Sequence, residues 1–397
     1  MDKGMGHSRH RDHADDTSTH ALPGRGPGDA ERSHSGTKSV LVVYPFLQHY
    51  RRGVFLELDQ IPGLRFTFAA DTGGREGIAS MEPDELTRFH RIHTRRFLRA
   101  EIQTGLARVM MRNFDSIIFY GDAASLSTWI AAAYARLKGI EVYFWTIGWH
   151  RPESGLKRGL RLAFYRLSHR LLVYGNIARE IGIQMGFPGD RISVIGNSIT
   201  LEPGSPSREQ PLMSATDSGA PLIVGAVARL NHVKRFDLLV DACGIIRRRG
   251  INIQIRLAGT GPCRDRLELQ ANQESVPIDF VGPIYSGPAL AAFYSGLNVT
   301  VVPQAIGLTA IQSMGYGVPA ISDDNVYSQM PEWEAIVPGG TGDTYNRGDS
   351  LSLADSILRV AAAQSAHAEM HQACRAEYVT RWSPSVHANN IARVLLS

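Results

Sequence analysis

Residues 299–324 read VTVVPQAIGLTAIQSMGYGVPAISDD, and the succession of residue types in this stretch decides the fold. The apolar, β-branched run 299–302 suits a strand buried on both faces, and Pro303 ends it because proline has no N–H to give a neighbouring strand. Gly307 then precedes a helical pattern over 308–315, and a second apolar run, 318–322, follows Gly317. Strand, glycine turn, helix and strand in so short a span form the repeating unit of a parallel sheet, whose crossovers run through helices. At the start of that helix the N–H groups of Gly307, Leu308 and Thr309 have no intrahelical acceptor. Together with the helix dipole they make a seat for an anion, most simply a phosphate.

The same rhythm extends in both directions. Runs at 222–227, 252–258 and 278–281 read as strands, and 236–248, 264–274 and 289–296 as the helices between them. Further upstream, strands are expected at 39–44, 65–70, 116–120, 141–147, 170–174 and 191–195, with helices over 102–111, 125–137 and 156–167. The stretch 200–220, TLEPGSPSREQPLMSATDSGA, breaks the pattern with proline, serine and glycine and reads as a linker. The expected architecture is therefore α/β, with two doubly wound units: 38–199 on the N-terminal side and 221–382 after the linker. Helices are expected over 351–363 and 365–378. Ser383 then offers an N-cap with Pro384 at the first helical position, and this last helix, 383–397, is expected to pack back on the first unit.

Composition narrows the function classes. The chain has 397 residues, 43% apolar and 20% charged, enough for sizeable cores. Its 42 Lys and Arg against 38 Asp and Glu leave a net charge of +4, too mild to make nucleic acid the expected partner. Cys243, Cys263 and Cys374 are odd in number and widely spaced, which fits a reduced, cytoplasmic setting and neither a disulfide framework nor a cysteine zinc site. No apolar run is long enough to span a bilayer, and no secretory h-region is present. Residues 1–37 hold six glycines and five histidines with almost nothing to bury, and read as a disordered tail. His7, His10, Asp12 and His13 are metal-ligand types, but their flanks offer nothing to fix ligand geometry, so the segment reads as a solvated tail.

A second cluster lies near the front of the C-terminal unit. Arg229 and Lys234 occupy the loop between a strand and a helix, where two cations five residues apart could hold a diphosphate or stand as ordinary solvated bases. At this point the residues carry a resemblance. Ala228-Arg-Leu, Lys234 and Asp237, then Leu257-Ala-Gly-Thr-Gly-Pro262, then Phe280-Val-Gly-Pro-Ile284, then Gly307-Leu-Thr and Gly317-Val-Pro are similar, in this order, to retaining glycosyltransferases of family 4. The resemblance covers most of 38–397 and is most specific in the C-terminal half. It implies the GT-B fold, two Rossmann-like domains facing each other across a cleft, with a nucleotide sugar bound mostly by the second.

By the same resemblance, Arg229 and Lys234 are the diphosphate pair, and the backbone at Gly307, Leu308 and Thr309 seats the β-phosphate. Ile284 meets the base, and His150, closing Gly148-Trp-His150, contacts the donor sugar. Gln304 and Gln312 stand where the family typically carries two glutamates. Glutamine keeps a carbonyl acceptor, so ribose binding at Gln312 survives, whereas any carboxylate role at Gln304 is lost. The loop after the first strand places His49, Tyr50, Arg51 and Arg52 at a strand's C-terminal end, where open α/β sheets bind ligands, and makes them acceptor-site candidates.

The implied activity is transfer of a sugar from a UDP- or GDP-sugar to an acceptor hydroxyl with retention. No metal or cofactor is needed, because the cations and the helix terminus meet the leaving diphosphate. A degenerate relative that only binds nucleotide sugar, or a sugar-nucleotide epimerase of the same fold, are the alternative readings. Two basic segments, 88–100 and 156–170, read as amphipathic helices that can dock on an anionic membrane at its cytoplasmic face, or as ordinary exposed faces.

Overall fold

Alternation along the first strand explains the unbroken apolar runs. In the computed structural model, which describes residues 36–75, 78–97, 100–201, 220–366 and 369–397, β1 (Lys38–Phe46) sends Val40, Val42 and Tyr44 into one apolar cluster and Leu41 and Val43 into another. A sheet covered on both sides needs apolar residues at every position, not at every second one. The strands that follow are β2 (Leu64–Asp71), β3 (Phe89–Arg91), β4 (His93–Phe97), β5 (Ala100–Thr104), β6 (Ser116–Tyr120), β7 (Glu141–Thr146), β8 (Arg170–Val173) and β9 (Ile192–Val194). Seven of them form a parallel sheet in the order β3-β2-β1-β6-β7-β8-β9, while β4 and β5 pair as a separate antiparallel hairpin.

The second half repeats the plan. Its strands are β10 (Leu222–Val227), β11 (Ile253–Ala258), β12 (Ile278–Gly282), β13 (Val299–Val301), β14 (Ala320–Asp323) and β15 (Gly342–Tyr345). They form a parallel sheet in the order β12-β11-β10-β13-β14-β15. Helices Phe236–Arg248 and Ser350–Ala366 supply Leu239, Cys243, Leu353 and Ile357 to the larger of its two apolar clusters. Strand order reverses between β1 and β6 in the first sheet and between β10 and β13 in the second. These switch points open crevices at the strands' C-terminal ends, where ligands bind in such sheets.

Two expectations about local structure are corrected. The basic segment 88–100 is not a helix but β3 and β4: Ile92 and Thr94 are buried while His93 and Arg95 are exposed, the period of two that a one-sided strand requires. The expected helix 102–111 is divided at Gly105, with β5 before it and the short helix Leu106–Met110 after it. At the other end of the chain, Ser383 accepts from the Val386 N–H with Pro384 at the first helical position. Helix Pro384–Leu396 lays Ala388, Ile391, Ala392 and Leu395 on the same cluster as Val40, Val42 and Tyr44. Their i, i+3, i+4, i+7 spacing is the core-facing stripe of an amphipathic helix. Lys38 then donates to the Leu395 carbonyl at 2.6 Å, satisfying one of the acceptors the last turn leaves open. Residues 1–35 of the expected tail, its histidine cluster and most of the linker 200–220 lie outside the described residues.

Candidate active site

The loop that leaves β10 at the second switch point is held from below. Ala228 N–H donates to Ala258 O, and Leu230 N–H to Thr260 O, each at 2.9 Å. A Cβ on Gly259 would stand 2.0 Å from the Ala228 carbonyl oxygen, and its φ of +137° suits only glycine. The glycines of 257–262 thus form a shelf that lets the backbone carrying Arg229 settle against β11. Lys234, five residues on, donates its ammonium to the Ala305 carbonyl, and Gln304 N–H donates back to the Lys234 carbonyl at 3.3 Å. The loops after β10 and β13 are therefore zipped together. Burial, and then the neighbouring Arg229, push the Lys234 ammonium down to about 8, while Glu332 pulls the other way.

Beside this pair, Gly307 adopts φ 60° and ψ −149°, a region other residues avoid, and caps helix Leu308–Gly315 without any side chain. The N–H groups of Leu308 and Thr309 precede the first intrahelical acceptor and stay available to an anion. The Thr309 hydroxyl donates to Val227 O at 2.9 Å, which fixes the helix start to the end of β10. One turn further, Gln312 Oε1 accepts from the Tyr294 hydroxyl at 3.0 Å, and the Tyr294 ring stacks on Tyr316 with centroids 5.0 Å apart. Ile284 packs on this same aromatic cluster. Arg229, Lys234, Gly307, Leu308 and Thr309 therefore meet at one switch point, with Ile284 and Gln312 on an adjoining apolar patch.

A cavity of about 550 Å³ opens between the halves. Tyr120, Asp122, Gly148, His150, Glu153 and Arg161 line it from the first half, and Val233, Ala305, Gln329 and Met330 from the second. The His150 ring keeps solvent access here, yet burial at the cavity wall and then Arg161 hold it below the usual imidazole range, against a hydrogen bond to the Gln329 backbone. Glu153 binds Arg161 at 2.7 Å and Lys157 at 3.0 Å, so those two bases are compensated. The Gln329 side chain accepts from Ile306 N–H at 3.0 Å and donates to Ser322 Oγ and Asp323 Oδ1, each at 2.9 Å. It thereby staples the loop before Gly307 to the loop after β14.

The four expected acceptor residues do not line this cavity. Arg51 is 7% exposed, lies 4.9 Å over the Tyr174 ring and donates to Asn197 Oδ1 at 3.0 Å. Asn197 in turn donates to the Glu332 carboxylate of the second half. Arg52 is ion-paired with Glu85, and the His49 ring bonds Ala79 O at 3.2 Å beside Tyr50. Arg51 thus reaches the junction between the halves through Asn197, while His49 and Arg52 bond within the first half. Asp122, Gln329, Glu332 and Glu334 were missed by sequence reasoning. Asp122 could have been found, since it follows β6 directly at the first switch point. Glu334 receives the N–H groups of Asn176 and Ile177 at 2.9 and 2.8 Å, and so closes the start of helix Asn176–Gln184 from across the junction. Nothing in its local sequence announces that partner. Among the described residues no three metal-ligating side chains converge, and no helix is long and apolar enough to cross a membrane.

Comparison with known proteins bears on the fold and on the C-terminal half of the chain. Residues 221–363 match the family model described as glycosyl transferases group 1. A GDP-mannose-dependent alpha-(1-6)-phosphatidylinositol dimannoside mannosyltransferase of Mycobacterium tuberculosis is 34% identical over 96 residues, 23% of this chain and 25% of that protein. The putative glycosyltransferase EpsF of Bacillus subtilis is 25% identical over 253 residues, 59% of this chain and 64% of that one. The chain thus spans less than two thirds of either relative's length. Among solved structures, Anabaena Alr3699/HepE in complex with UDP aligns with a TM-score of 0.67 at 14% identity, covering 90% of this chain and 99% of that one. A glycosyltransferase from Rickettsia africae aligns at 0.68 and 13% identity, covering 90% and 97%. The fold is GT-B, two Rossmann-like α/β domains, and its C-terminal half carries the match to group 1 glycosyl transferases.

Proposed function

We propose that the protein is a retaining, metal-independent glycosyltransferase that moves a sugar from a UDP- or GDP-sugar to an acceptor hydroxyl. The observation that carries this reading is the meeting of Arg229, Lys234 and the side-chain-free start of helix Leu308–Gly315 at one switch point, beside the cavity between the halves. Such a site binds a diphosphate and stabilises it more as it leaves, because charge grows on the oxygen that the cations and N–H groups face. The bond from the anomeric carbon to the diphosphate oxygen breaks, and the acceptor oxygen attacks from the same face. The acceptor's proton passes to the departing phosphate, so no protein carboxylate is required. Ile284 would meet the base, Gln312 the ribose hydroxyls, Gln304 and His150 the donor sugar. The neighbours bound to UDP and the relative named for GDP-mannose support this donor class, and the relatives' names favour a glycan or lipid-linked acceptor. Three buried free thiols suit a cytoplasmic setting.

The test is incubation with UDP- and GDP-sugars, with and without candidate acceptors, following nucleotide release by chromatography and the product's anomeric configuration by NMR. Acceptor-dependent release with retention, lost in Lys234→Ala and Arg229→Ala, supports the assignment. Conversion of the donor without an acceptor, binding without turnover, or release unchanged in both variants would each overturn it.

A further inference from the structure

Helix Leu126–Leu137 turns one face inward, and among the described residues nothing covers the other. Thr128, Ala131, Ala132 and Ala135 are buried. Leu126, Ile130, Tyr134 and Leu137 form an exposed stripe, Ile130 at 74% and Leu137 at 88%. Met111, 74% exposed, follows the short helix Leu106–Met110, and a groove of about 390 Å³ runs between the two helices, walled by Leu106, Met110, Ile130 and Tyr134. One exposed apolar side chain needs no explanation, but a stripe continuous with a groove marks an interaction surface.

The charge around this face has one sign. Segments 102–114 and 123–140 contain Arg108, Arg112, Arg136 and Lys138 and no aspartate or glutamate, and all four bases are exposed. Of the acids that border these segments, Asp122 accepts from the Ala124 N–H at 2.9 Å at the cavity wall, and the other three are engaged internally. Asp115 accepts from the Ser39 N–H and hydroxyl at 2.7 Å each, Glu141 pairs with Lys38 at 2.7 Å, and Glu101 with Arg75 at 3.1 Å. The field is felt nearby: after burial, Arg112 holds His90 and Arg136 holds His169 below the usual imidazole range. A second copy of the chain docked face to face would set these bases against one another, so the rim calls for an anionic partner. A bilayer offers both anionic headgroups and apolar depth for side chains as long as Met111, Ile130 and Leu137.

We propose that helix Leu126–Leu137 and Met111 form a face that docks the N-terminal half on an anionic lipid surface, with Arg108, Arg112, Arg136 and Lys138 meeting the headgroups. The helix starts four residues after Asp122 of the cavity wall, so its N-terminal end lies near the rim of the cleft. The assignment is independent of the transferase reading, because its measurement needs no donor or acceptor.

The experiment is sedimentation of the full chain with vesicles of equal parts phosphatidylglycerol and phosphatidylcholine, against phosphatidylcholine alone. Partition is expected to be at least about tenfold stronger on the anionic vesicles and to fall as salt is raised. Ile130→Glu with Leu137→Glu removes it and Arg108→Ser with Arg112→Ser weakens it, all at unchanged melting temperature, since these side chains are exposed. Leu156→Glu with Leu160→Glu, on another helix with exposed leucines, leaves it intact. Equal partition on both vesicle types, no partition at all, or loss only in the Leu156 and Leu160 variant overturns the proposal. So does a concentration-dependent dimer in solution that Ile130→Glu dissociates, which would give the face to a second copy.

Discussion

Raising the pH should switch off donor capture at Lys234. Burial, followed by Arg229, brings its ammonium from an ordinary 10.5 down to about 8, a cost to the charged form of about 3 kcal/mol. In the proposed site the charged form binds the diphosphate and prevails below that value, so affinity is expected at neutral pH and is expected to be lost as pH rises. Between about pH 7 and about pH 9 the charged fraction falls about tenfold, and kcat/KM for the donor should fall with it. A bound diphosphate supplies an anion that favours the ammonium, so kcat, which reports the complex, should hold to higher pH than kcat/KM. The assay is the initial rate of nucleotide release at donor concentrations well below KM, across the pH range. In Lys234→Arg the guanidinium stays charged throughout, and whatever rate it retains should be flat through about pH 9. A wild-type profile flat to that pH, or an equal fall in Lys234→Arg, would refute the assignment of the titration to Lys234.

Three further outcomes are expected. Gln312→Ala should weaken donor binding by roughly 1–3 kcal/mol in a calorimetric titration, because the Tyr294 hydroxyl and the ribose both lose an acceptor, while Gln312→Glu should keep most of the affinity. Gln304→Glu should weaken donor binding and move the Lys234-dependent fall in kcat/KM to higher pH, because a carboxylate repels the diphosphate and favours the ammonium; unchanged affinity and profile would place Gln304 outside the site. Glu332 is buried, and that burial raises its carboxyl above the usual range, so its ionisation costs stability as pH rises from the ordinary carboxylate range through the raised value. Glu332→Gln removes the charge and keeps an acceptor for Asn197, so its melting temperature should gain on wild type over that interval, and parallel curves would show that Glu332 does not titrate there.

Much of this was legible because two periodicities are. Runs such as 117–119 and 222–227 are apolar at every position, and only a strand buried on both faces in a parallel sheet needs that. The loops at the second switch point were legible for a different reason. Gly259 and Gly307 are set by backbone geometry that excludes other residues, so their positions in sequence carry the turn with them. Residues 88–100 misled because their arginines and histidines mimic a basic helix, whereas the alternation of Ile92 and Thr94 with His93 and Arg95 spans only a few positions. In sequence Arg51 reads as a ligand-facing base because it lies in the loop that follows the first strand. The Tyr174 ring and Asn197 that claim it lie more than a hundred residues away in the chain. Glu332 and Glu334 failed for the same reason, since their partners come from the opposite half.

The balance of charge at the junction gives the neutral side chain at Gln304 a physical meaning. Arg229 and Lys234 stand close enough that the first lowers the proton affinity of the second, and the acid that opposes this effect, Glu332, weighs less in the balance than Arg229. Burial also favours the protonated form of Glu332, which weakens it further as a counter-charge. A glutamate at position 304 would sit on the loop whose Ala305 carbonyl already holds the Lys234 ammonium, and would compensate that ammonium before any donor arrived. Glutamine leaves the compensation undone. In the proposed reaction the diphosphate is then itself the missing anion: it restores the proton affinity of Lys234 on binding, and each increment of charge that it gains while leaving meets cations that nothing else has neutralised. Electrostatic stabilisation of that kind grows toward the transition state rather than being spent in the ground state. A neutral side chain at position 304 is therefore compatible with the proposed catalysis, because the substrate would carry the charge that the side chain lacks.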